Sequence, residues 1–123
     1  MTERQRLIRT LDDVFSIFIR NRDSTDGIGT CITCGVMRRW EHMDCGHYQG
    51  RQHMATRWDE KNCAIQCKKC NWYGEGKKDI FTLKIDQRWG KGTAEMLRIK
   101  SKNYAKYDAK ILRLLIKEYA LKC

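Results

Sequence analysis

Proline is absent from this chain of 123 residues, so its reversals of direction depend on nine glycines and on Asn, Asp and Ser. Long apolar runs are absent too. No stretch approaches the roughly 18 to 20 residues that cross a bilayer, and Met1–Phe15 is charged throughout rather than built like a signal peptide. A soluble, cytoplasmic protein with no membrane partner is therefore expected. Acidic side chains are in short supply: 15 Asp plus Glu stand against 25 Lys plus Arg, for a net charge of +10. That imbalance points to a polyanionic partner. Internal repeats, low-complexity tracts and linkers are also missing.

What is present suffices for one small core. Apolar residues make up 41%, with four Trp, five Tyr and three Phe, and the length is that of a single domain. Three segments are expected within it: an N-terminal helix and turn over 1–30, a cysteine-bearing core over 31–76, and a helical region over 77–123. The last carries thirteen basic and five acidic side chains, and so most of the positive excess.

Thr2 and Gln5 have the spacing of a capping box, and Leu7, Leu11, Val14, Phe15 and Phe18 follow at helical intervals, predicting a helix over 3–22. Asp23–Gly29 reads as a turn leading into the knuckle Cys31–Gly35. Glu41–Tyr48 and Asn62–Gln66 are predicted strands joined by a polar loop, with a short helix from Cys67. Ile80–Trp89 is an apolar segment closed by Gly90 and Gly92. Thr93 then caps a helix through Ile99, and Ser101 or Asn103 caps another from about 104 to 121. On that last helix Tyr107, Ile111, Leu114, Leu115, Glu118 and Tyr119 form one stripe, and Lys106, Lys110, Arg113 and Lys117 another.

Cysteine is plentiful, at seven. Cys31-x-x-Cys34 and Cys67-x-x-Cys70 have the paired spacing of a four-thiolate zinc site, and in a reducing compartment such pairs bind metal more often than they form disulfides. Four thiolates leave no open position, so one structural Zn2+ per chain is expected. Cys45, Cys63 and Cys123 have no partner at metal spacing and read as small buried or tail residues.

Asp44-Cys45-Gly46-His47 lies between the knuckles, followed by Asn62 and by Asn71 directly after Cys70. This order resembles that of HNH nucleases, whose ββα-metal (His-Me finger) unit is a hairpin followed by a helix. The resemblance implies an α+β fold, a zinc-stapled ββα-metal core with flanking N- and C-terminal helices. Val14–Asp23, Gly29–Gly35, Asp44–Tyr48, Arg51, Arg57–Asn62 and Gln66–Asn71 together are similar to the NinG (Rap) family of phage recombination endonucleases, in recognisable order over about residues 11 to 92. That likeness implies an enzyme acting on branched DNA such as Holliday junctions, in the host cytoplasm if phage-encoded.

Under this reading His47 is the general base, since a neutral imidazole can accept a proton from water near neutral pH. Asn62 orients the His47 loop or ring. Asp44 and Asn71 hold a catalytic Mg2+ or Mn2+, which takes few protein oxygens. Gly46 occupies the position before the base where many HNH sequences carry Asp or His. A bulge at Gly46 is therefore expected to swing Asp44 to the metal, the alternative being a carboxylate that braces the hairpin. Arg51 and Arg57 contact DNA near the scissile phosphate, and Lys77, Lys78, Lys84 and Arg88 grip the backbone. Trp40, Trp58, Trp72 and Tyr73 divide between core packing and base stacking. A homodimer suits a four-way junction, through the stripe at 107–119 or the first helix. The competing functions are an HNH nuclease nicking linear duplex or associated with packaging, and a zinc-ribbon DNA-binding module without turnover.

Overall fold

The computed structural model describes residues 1–73 and 76–123. The end of the expected 31–76 core, at Gly74 and Glu75, lies outside the described residues. The architecture is mixed α+β, with five α-helices and two small antiparallel sheets among the described residues. Helix α1 spans Glu3–Arg22 as its pattern predicts. The Thr2 hydroxyl accepts from the Gln5 amide at 3.1 Å, and the Gln5 side chain accepts from the Thr2 amide at 2.8 Å. Leu11, Phe15 and Ile19 recur every fourth residue and are fully buried.

The turn expected at Asp23–Gly29 is instead the start of a three-stranded sheet, β1 (Ser24–Thr25), β2 (Ile28–Thr30) and β3 (Met37–Arg39). Asp26 and Gly27 both have positive φ, 53° and 80°. Two such residues form the hairpin turn whose twist matches its flanking strands. Cys31–Gly35 therefore hangs between β2 and β3. Gly29 sits where a Cβ would fall 2.4 Å from Ile65 Cδ1, so the sheet packs closely on the second hairpin.

That hairpin pairs β4 (Asp44–His47) with β5 (Cys63–Gln66), Asp44 opposite Gln66 and His47 opposite Cys63. The first strand is shorter than Glu41–Tyr48. Trp40–His42 forms a 3-10 turn, closed by the Met43 amide on the Trp40 carbonyl and tied to the β2 hairpin by the Trp40 amide on the Gly27 carbonyl. No bulge interrupts the ladder at Gly46, which corrects the expected geometry. A Cβ there would meet the Gln66 amide at 2.2 Å, so any larger residue has to displace that buried side chain. The buried Gln66 side chain donates to the Thr33 hydroxyl and the Gly76 carbonyl.

All four residues of β5 are buried, because three apolar clusters meet on it. Cys63 joins Leu11, Phe15, Trp58 and Leu112; Ala64 joins Tyr48, Phe81, Ile85 and Leu97; Ile65 joins Cys31, Met43 and Cys70. Such a strand is fixed in register from both faces.

After β5 a short π-helical segment, Lys69–Tyr73, stands where a short helix is predicted. Helix α2 (Met54–Arg57) lies in the loop between the strands, and α3 (Lys78–Trp89) and α4 (Thr93–Ser101) follow. Thr93 does not cap α4: its hydroxyl donates to the Gly90 carbonyl, and the Asp86 carboxylate accepts from the Ala94 amide. Helix α5 runs Ala109–Lys122, starting later than expected and capped by Asp108, which accepts from the Ile111 amide at 2.9 Å. Tyr107 is held outside it, edge-on to Trp58 at 5.0 Å and with its carbonyl accepting from Arg4. The expected apolar stripe divides. Leu112, Leu115, Ile116 and Tyr119 pack on α1, whereas Ile111 and Leu114 face outward.

Candidate metal centre and active site

The Sγ atoms of Cys31, Cys34, Cys67 and Cys70 all lie within 4.8 Å of one another. Cys34 and Cys67 are 3.7 Å apart, and a tetrahedral zinc with bonds of about 2.3 Å spaces its sulfurs about 3.8 Å apart. Four cysteines from the β2–β3 loop and the end of β5 can thus hold one zinc ion. Burial opposes ionisation of Cys31, but the Thr33 hydroxyl and the amides of Cys67, Cys34 and Thr33 outweigh it and bring the thiol down to about 6. Burial, with the Cys67 and Cys34 thiols and the Cys31 charge, pushes Cys70 up to about 12 against the Thr33 hydroxyl. One thiolate forms readily and another resists, as expected of converging like charges that a dication would neutralise.

A cavity of about 670 Å3 opens between α1 and β4, lined among others by Asp12, Asp44, His47, Arg51, Asn71 and Lys78. Asp44, His47, Arg51, Asn71 and Lys78, all singled out from sequence, thus face one space. His47 Nε2 lies 3.0 Å from the Arg57 carbonyl. A carbonyl only accepts, so Nε2 carries the proton and the lone pair is on Nδ1. Burial, reinforced by Arg51, holds the imidazole down at about 4, so it is neutral at pH 7.

Asn62, fully buried, hydrogen-bonds to Gln49 and Thr56 rather than to the imidazole. It fastens the loop beyond it: its Oδ1 accepts from the Gln49 amide at 2.8 Å, and its Nδ2 donates to the Gln49 and Thr56 carbonyls, each at 3.0 Å. Thr56 precedes Arg57, so Asn62 sets the carbonyl that orients His47. Asp12, which sequence reasoning missed, completes this support. Its carboxylate accepts from Arg57 Nε at 3.1 Å and Trp58 Nε1 at 3.0 Å, clamping α2 to α1. A lone acid on a charged helix face carries no sequence signal of such a role.

Asp44 and Asn71 are in contact. Asp44 accepts from Asn71 Nδ2 at 3.1 Å, Trp72 Nε1 at 3.0 Å and Lys68 Nζ at 2.7 Å. Burial opposes its ionisation, but these three hydrogen bonds prevail and its pKa is lowered. Asn71 turns its Nδ2, not its oxygen, to the carboxylate, so the two would offer a hard oxygen pair to Mg2+ or Mn2+ only with that amide reversed, and the Lys68 ammonium already stands as a cation on Asp44.

The basic residues separate. Arg51 is exposed at the cavity, 3.7 Å from Asp12, while Arg57 is mostly buried on Asp12. Lys78 donates to the His47 carbonyl at 2.8 Å and also to that of Tyr48. Arg88 pairs with Asp23, and Lys77 and Lys84 are exposed. Among the aromatics, Trp58 is buried and Trp40 stacks under Arg20, whereas Trp72 and Tyr73 are 73% and 88% exposed.

One further grouping escapes sequence spacing. Cys45, His47 and Cys63 place ligand atoms within 4.8 Å of one another, although Cys45 and Cys63 read as unpartnered in the sequence.

The family model for the bacteriophage lambda NinG protein matches residues 1–123. The chain belongs to the NinG family. This is a phage recombination-associated family, so the likeness drawn from residues 11 to 92 extends over the whole chain. No curated protein and no solved structure matches this NinG-family chain. Among its described residues no helix is long and apolar enough to cross a membrane.

Proposed function

We propose that this NinG-family chain is a metal-dependent endonuclease that hydrolyses phosphodiester bonds in branched recombination intermediates. In this reading the β4–β5 hairpin and the Lys69–Tyr73 segment form a ββα-metal unit stapled by structural zinc. The observation that carries it is the His47 arrangement: a neutral, half-buried imidazole, protonated on Nε2, in a cavity shared with the Asp44–Asn71 pair. Phosphodiester hydrolysis needs an acceptor for the proton of the attacking water, and Nδ1 of His47 provides it. The Arg57 carbonyl keeps the other nitrogen protonated and stabilises the positive charge that develops on the ring. Asp44 and the amide oxygen of Asn71 would hold Mg2+ or Mn2+, which when bound neutralises charge on the phosphoryl oxygens.

Exposed Arg51 contacts the flanking phosphate, and Lys77 and Lys84 add affinity without sequence reading. Arg57 acts through His47 rather than on DNA. Trp72 and Tyr73, exposed beside Asn71, stack on bases unpaired at a branch. Since the α1 and α5 core faces are occupied by each other, the outward stripe Ile111, Leu114 and Leu121 is the face for a two-fold dimer matched to a four-way junction.

The test is cleavage of a four-way junction, a flap and a linear duplex of shared sequence with Mg2+ at one salt concentration. Preferential cleavage of the branched substrates is the expected result. Equal cleavage of linear duplex would favour a general HNH nuclease, and binding without cleavage a passive zinc ribbon.

A further inference from the structure

Cys45 and His47 lie two apart on β4, and so on one face, and Cys63 stands directly across from His47 on β5. Their two sulfurs and a ring nitrogen gather within 4.8 Å. Cys45 and His47 line the cavity, whereas Cys63 is buried beneath them. Two thiols and one imidazole are the donors of a thiophilic ion, and three protein ligands beside an open cavity leave a position for water and a path of entry. The Arg57 carbonyl, 3.0 Å from Nε2, orients the ring as the outer partner of a metal-bound histidine does. As plain core residues, two cysteines need only apolar neighbours.

We propose that Cys45, His47 and Cys63 form a second metal site for a Zn2+-class thiophilic ion, distinct from the four-cysteine site, and that filling it silences His47. On binding, the two thiols release their protons to solvent and the ion takes the imidazole lone pair. The hard ion of hydrolysis and the soft ion of inhibition are thus sorted by donor chemistry: oxygen from Asp44 and Asn71, sulfur and nitrogen from the triad. The site itself stands on geometry alone, while silencing rests on the nuclease reading.

The test uses the full chain carrying Cys123→Ser, loaded with Cd2+ and followed by metal analysis and cadmium NMR. Two bound ions and two resonances are expected, one from four thiolates and one from two thiolates and a nitrogen. Cys45→Ser and His47→Gln should each abolish the second while leaving the first, whose survival reports an intact fold. One ion per chain, or a second resonance that survives both variants, would overturn the site. In parallel, four-way-junction cleavage with Mg2+ should fall about 100-fold or more when the Zn2+-loaded chain takes up a second equivalent. Binding of that equivalent with undiminished cleavage would overturn the silencing. A protein that binds the second ion yet never cleaves DNA would refute the nuclease reading and keep the site.

Discussion

The Arg57 carbonyl accepts the Nε2 proton of His47 at 3.0 Å. That single bond places the ring proton on Nε2 and leaves the lone pair on Nδ1, and much of the surrounding structure holds it. Asn62 fixes the preceding residue through the Thr56 carbonyl, and Asp12 fixes Arg57 itself through its guanidinium.

Asp12→Ala removes the acceptor shared by Arg57 and Trp58, both largely buried. Leaving a mostly buried guanidinium and an indole N–H without their partner should cost about 2 kcal/mol. Urea denaturation measures the loss. Asp12→Asn, which retains an acceptor for Trp58, should recover part of it.

Cys34 separates a zinc ligand from a spectator, because it is exposed. An exposed thiol without a ligand role changes stability by about 0.5 kcal/mol or less on substitution. Cys34→Ser should instead lose tightly bound zinc, seen by elemental analysis, and lower the unfolding midpoint by several times that energy. Unchanged zinc content would remove Cys34 from the site.

Stability should also respond to His47 in acid. Burial lowers its pKa from 6.5 to about 4, so between those values the unfolded chain binds a proton that the native one refuses. The neutral ring carries no penalty above pH 6.5. As pH falls from 6.5 to 4, the native state should lose about 3 kcal/mol relative to a His47→Gln variant. Parallel stability–pH curves for the two proteins would contradict the burial argument.

Much of this site was legible because its chemistry is local in sequence. The paired Cys-x-x-Cys spacing, the capping box at Thr2 and the strand Cys63–Gln66 all depend on neighbours within a few residues. The features that escaped depend on distant ones. Asp12 matters only because the fold brings it to Arg57 and Trp58, far along the chain, and Cys45 meets Cys63 only across a strand pairing. The start of α5 moves to Ala109 because Tyr107 is pinned on Trp58. The β1–β2 hairpin is a different case. Asp26-Gly27 is a hairpin turn signal, but the flanking strands are too short to show alternation. Gly46 misled for a steric reason: glycine there makes room for Gln66 rather than a bulge for Asp44.

The central claim is that His47 is the base of a phosphodiester hydrolysis. Its most direct test is the single-turnover rate of four-way-junction cleavage with Mg2+ by the wild type and by His47→Ala, with DNA binding measured alongside. Loss of about 100- to 10,000-fold in rate with binding retained is the predicted result, and an unchanged rate would contradict it.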